Sequence, residues 1–126
     1  MLAFADSYGT RRDGGPLDGA PYDAVDADGT VVEASHLLWP LTEAGKVACS
    51  LHAAGIDGGA ERADKLVRLV FGRFFAADRP FWVNQMDGSG NVLWPDALSR
   101  LIYHVLLFVT EGARAGLWEL TSTDQQ

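Results

Sequence analysis

The sequence predicts an all-α fold that carries two short β-hairpins. Three observations predict it. Two long stretches repeat apolar residues at helical spacing. Two Gly-containing turns are flanked by loosely alternating residues. The hairpin-plus-helix pattern then recurs after roughly 60 residues, which suggests stacked units of one α/α repeat array.

Taken in order, the first eight residues resemble the last turns of a helix, stopped at Gly9. The Gly-rich stretch GTRRDGGPLDGAP reads as loop. YDAVDADGTVV turns at Asp28-Gly29, a hairpin signal. The first long helix is predicted from Pro40, because proline's missing N–H needs no partner at a helix start. Trp39, just before it, is expected to be extended. Leu41, Ala44, Val47, Ala48 and Leu51 form its apolar stripe, and Gly55 supplies the stop.

The second helix is predicted from about Gly59 to Ala77, with Ala63, Leu66, Val67, Val70, Phe71, Phe74 and Phe75 on one face. FWVNQMDGSGNVL repeats the hairpin theme. The third helix is predicted from about Asp96 to Ala113. Leu101, Ile102 and Val105 to Val109 nearly encircle it, which predicts burial on most sides. The polar tail TSTDQQ is expected to fray.

Composition excludes some functions. The chain has 126 residues, the length of one domain, and 48% of them are hydrophobic, enough for a real core. Its net charge is −7, and no basic face is visible, so binding to nucleic acid is not expected. The same acidity disfavours anionic membranes. The longest apolar run, around Val105 to Val109, is far shorter than the roughly 18 residues of a membrane span. The N-terminus turns acidic too soon for a signal peptide. The single cysteine, Cys49, excludes an intrachain disulfide, and a cytoplasmic location is expected.

Three weaker motifs carry little. Cys49 and His52 are spaced for two metal ligands on one helix, but two further ligands are not evident, so no metal is expected. DAVDADG lacks the ligand spacing and closing glutamate of a calcium loop. GSG at 88–90 opens no helix with a following lysine and reads as a turn.

One set of residues carries more. HLLWPLTEAGKVA, then ADKLVRLVFGRFFAADRPFWVNQMDGSGNVL, then LIYHVLLFVTE resemble the C-terminal part of the N-acylglucosamine 2-epimerase family, which includes mannose isomerases and cellobiose 2-epimerases. The strongest marks are the Trp-Pro-x-Thr-Glu run and the Tyr-His pair on the last helix. The resemblance implies that the chain is a single domain equal to the C-terminal third of an (α/α)6 barrel. It implies aldose–ketose isomerisation, or epimerisation at C2, of mannose-like sugars through an enediol, without a cofactor. By that resemblance His104 is the catalytic acid/base, while Trp39 and Glu43 line the sugar pocket. His36 stands where the family often has a basic residue and is a further substrate-binding candidate. Lys46 and Tyr103 are expected to be structural or rim groups. The upstream helices with the family's other histidine and a substrate-binding arginine have no counterpart here, so the chain supplies half of the acid–base pair.

The residue types suit that chemistry. Proton abstraction beside a carbonyl needs a base near neutral pKa, which histidine supplies with little tuning. An indole face suits the C–H face of a pyranose. Each residue also has a plainer reading. His104 on an apolar helix fits a core histidine, Trp39 fits a plug over a helix start, and Glu43 fits the acid that a helix dipole favours in its first turn. A non-catalytic carbohydrate-binding or self-association module, and an inactive fragment, therefore stay open. The apolar girth of the third helix predicts a homo-oligomer.

Overall fold

The computed structural model describes residues 2–121, and the polar tail from residue 122 on lies outside them. The described residues are largely helical, with a few short strands, and they close no barrel. Helix α1 (Leu2–Tyr8) ends as expected at Gly9, whose N–H donates to the Ala5 carbonyl at 2.9 Å. The Gly-rich loop that follows is pinned rather than loose. Thr10 bridges to Pro21, and Leu17 and Ala20 are fully buried. Strands β1 (Ala24–Val25) and β2 (Val31–Glu33) form the first hairpin.

Strand β3 (His36–Leu37) was not legible in the sequence. It pairs with β4 (Gln85–Met86), which pairs in turn with β5 (Val92–Trp94). This small sheet sets where helix α2 (Leu38–Ala53) begins. The Leu38 N–H donates to the Asn84 carbonyl at 2.9 Å, so the helix starts two residues before Pro40. Proline still costs little there, because N–H groups of a first turn have no intrahelical acceptor. Trp39 is accordingly helical and not extended; the strand anchor outweighs the local steric bias. Gly55 turns the chain after α2 with a left-handed φ of 75°, a geometry that glycine adopts without strain.

Helix α3 (Gly59–Leu69) buries Ala63, Leu66 and Leu69. It does not run on to Ala77. Residues Val70–Phe74 form a π turn, closed by Phe75 N–H donating to the Val70 carbonyl at 3.0 Å. The extra residue rotates the stripe. Val70 and Phe74 are fully buried, while Phe71, predicted on the buried face, is half-exposed.

Helix α4 (Arg100–Arg114) starts four residues later than predicted. It buries Leu101, Val105, Phe108 and Gly112, a single line along the helix. The expectation of burial on most sides fails. Tyr103 is 63% exposed and Leu106 57%, because α2 packs on one side of α4 and nothing among the described residues covers the other. No helix among the described residues is long and apolar enough to cross a membrane.

The internal repeat is real and in strict register. Ala24 pairs with Glu33 and Val25 with Val31; 61 residues on, the interval that also separates Glu43 from His104, Gln85 pairs with Trp94 and Met86 with Val92, with the same bulge. The turns match too. Asp26 accepts from the Thr30 N–H and Asp87 from the Asn91 N–H, while Gly29 and Gly90 share positive φ values of 91° and 86°. Each unit is helix, hairpin, helix: α1 to α2, then α3 to α4.

Candidate functional site

Helix α2 sits at the centre, against α3 on one side and α4 on the other. Trp39, Glu43 and Lys46 lie on one stripe of it, since residues three and four apart are neighbours on a helix surface. Helix α4 runs alongside in the same direction. Gly45 makes this possible, because the ring of fully buried Phe108 occupies the space where a β-carbon would stand.

That close approach brings Glu43 and His104 together. They hold the same position in the two units, 61 residues apart, and their side chains meet: His104 Nδ1 lies 2.9 Å from Glu43 Oε1. Lys46 Nζ approaches the same oxygen at 3.0 Å. Burial pushes the Glu43 carboxyl up, but the hydrogen bond from His104 and the Lys46 ammonium outweigh it, and its pKa lies below the ordinary glutamate value. Glu43 is therefore an acceptor-only carboxylate. His104 must donate from Nδ1, which leaves Nε2 with a lone pair in the neutral ring. Among the described residues neither His104 Nε2 nor Glu43 Oε2 has a hydrogen-bond partner.

The Trp39 indole, 47% exposed, stands beside His104 with ring centroids 6.4 Å apart and planes tilted by 44°. An open groove of about 450 Å³ continues along α2 and α4 from Glu43 and Lys46 past Ser50, Leu107 and Glu111. Small-molecule sites span about 300–1,000 Å³. Three of the four residues singled out in the sequence thus share one exposed corner. Lys46 belongs with them, although it was expected to be structural or rim; its spacing from Glu43 was the available signal. Glu111, two turns after His104, was not anticipated as a groove residue.

His36 is elsewhere and differently employed. It is fully buried and stacked on Tyr22. Its Nδ1 donates to the Pro21 carbonyl at 2.6 Å, and its Nε2 accepts from Arg11 Nε–H at 2.8 Å. A carbonyl can only accept and a guanidinium can only donate, so the ring is neutral and both nitrogens are used inside the protein. Burial is the main cause that holds its pKa below the usual histidine value. A sugar hydroxyl would have no nitrogen left to bind. His52 lines a separate pocket with Ile56, Asp57 and Glu61. Among the described residues no group of three or more His, Cys, Asp and Glu side chains could hold a metal ion.

Comparison of this chain with protein-family models, with curated proteins and with solved structures finds no match.

Proposed function

We propose that this chain is a segment of an (α/α) ring that acts on a mannose-like sugar, with His104 as the acid/base of an aldose–ketose isomerisation. The hydrogen bond from His104 to an ionised Glu43, with Trp39 beside it, carries the reading. A carboxylate that receives Nδ1–H fixes the imidazole tautomer and steadies the imidazolium that forms. Nε2 is then the basic atom. It takes the proton from C2 of the open-chain aldose; the C–H electron pair forms the C1=C2 bond, the carbonyl pair moves to O1, and O1 takes a proton from water to give the enediol. The C2 proton then returns to C1 while O2–H gives its proton to water and its electron pair closes the C2=O2 bond of the ketose. The free oxygen of Glu43 accepts a sugar hydroxyl, and Trp39 covers a C–H face of the ring.

The same enediol also leads to epimerisation at C2 when a second group returns the proton to the opposite face. The reaction needs no redox step and no cofactor.

The test is exchange of the C2 proton of mannose in D₂O, followed by NMR. A positioned general base contributes about 10²–10⁴-fold, so His104→Ala should lose exchange by that order. Glu43→Gln should lose less, since the imidazole remains. A second reading, a non-catalytic carbohydrate-binding surface, draws on the half-exposed Trp39 indole. It predicts shift changes confined to the region of Trp39 with no exchange. Neither exchange nor shift changes at millimolar sugar would overturn both readings.

A further inference from the structure

The strict repeat shows what the open faces of this molecule are built to meet. Within the chain, α2 presents Gly45 and Cys49 toward α4, and α4 presents His104, Phe108 and Glu111 toward α2. Carried forward by the repeat interval of 61, the α2 set becomes Leu106 and Thr110. Leu106 lies with Tyr103 on the uncovered side of α4, and Thr110 is half-buried. Carried back, the α4 set becomes Glu43, Val47 and Ser50 of α2, where Val47 is 43% exposed. Each chain thus displays both halves of the contact it already makes internally.

We propose that copies of this chain associate head to tail, the Tyr103–Leu106 face of α4 on one copy seating against the Val47 face of α2 on the next. Side-chain volume argues for a second copy as the occupant. The internal contact sets the large Phe108 ring against Gly45, a residue with no side chain. The intermolecular contact sets mid-sized Leu106, at the position of Gly45, against mid-sized Val47, at the position of Phe108. The two pairs carry the same number of side-chain carbons, so the second contact brings as much apolar material to the interface as the first. The receiving surface is the part of α2 around Val47, which is 43% exposed. Such an interface is heterologous, so the copies form a closed ring or an open chain.

The association also completes the corner around His104. Glu43 and His104 hold equivalent positions, so the partner's Glu43 approaches the side of His104 that faces away from its own Glu43. An alternating row of carboxylates and imidazoles results. The proposal stands apart from the sugar reading, because it rests on the repeat and on exposed apolar surface.

Light scattering and sedimentation test it. The wild-type chain should rise in mass above the 13.6 kDa monomer with concentration. Leu106→Glu and Val47→Glu each place a charge in every interface, so each alone should remain monomeric. Mixed in equal amounts, the two retain one unaltered pair of faces and should form a capped dimer. Restoration on mixing is the sign of a head-to-tail contact. A symmetric contact between α4 faces predicts instead that Val47→Glu still associates and that mixing restores nothing, and this result overturns the proposal. A wild-type chain that stays monomeric up to millimolar concentration also overturns it. Circular dichroism checks that the variants fold. Should the glutamates unfold the chain, Leu106→Ala and Val47→Ala keep the test alive, each weakening association by about tenfold.

Discussion

Two histidines of this chain illustrate how little a residue type says before its partners are known. His104 donates to a carboxylate at an exposed corner, while His36 is sealed between a carbonyl and a guanidinium. Protonating His36 would set a new N–H against Arg11 Nε–H. Its pKa in the folded chain is below the unfolded value, so between the two the unfolded chain binds the extra proton, and stability falls as pH drops below about 6.5. Urea midpoints should decrease from about pH 7.5 to about pH 5.5, above the range of ordinary carboxylates. His36→Gln should be less stable at the upper pH but show a shallower slope. Glu43 works in the same direction, at lower pH. Its lowered pKa adds stability above the ordinary glutamate range, lost as pH falls through it. The grouping of Trp39 with Glu43 was expected from the family resemblance, not from helix periodicity, because Trp39 was read as extended and is helical in the structure. The burial of His36 was not, because Arg11 and Pro21 lie 25 and 15 residues away and no local pattern links them.

At the scale of elements, helix existence followed from periodicity, and helix ends followed from contacts. Helix α2 begins early because the Asn84 carbonyl, just before β4, claims the Leu38 N–H, and α3 gives way to a π turn that rotates Phe71 outward. The packing of α2 on α4 depends on Gly45. In Gly45→Ala the new methyl meets the ring of Phe108, which is wholly buried and cannot withdraw. Overpacking costs about 1–3 kcal/mol. Alanine returns at most about 1 kcal/mol of helix propensity. The variant should therefore melt earlier than wild type, and a higher melting temperature would show that α4 is free to shift. If the helices separate, the contact between Glu43 and His104 lengthens, and sugar proton exchange should fall with stability. The two hairpin turns were legible in advance, because an aspartate that caps backbone N–H groups and a glycine at positive φ are local requirements.

For the whole molecule, net charge and repeat pull in opposite directions. Each copy carries −7, so copies repel at long range while their α4 and α2 faces fit. Salt screens the repulsion over a Debye length of about 10 Å at 0.1 M and leaves apolar contacts intact. Head-to-tail association should therefore strengthen between about 10 mM and about 200 mM salt. Sedimentation equilibrium at the two concentrations checks it. Weakening with salt would point to ion pairs, not Leu106 and Val47, as the main attraction.

The order helix, hairpin, helix, twice over, was written in the sequence, because apolar period and turn chemistry act within a few residues of each other. Tertiary structure alone decided that Glu43 meets His104, that His36 is sealed away, and that one side of α4 stays bare among the described residues. Each of those depends on which surfaces lie side by side once the helices pack. A backbone approach through Gly45, with one flank of α4 covered and the other open among the described residues, is a property of three dimensions that no periodicity along the chain encodes.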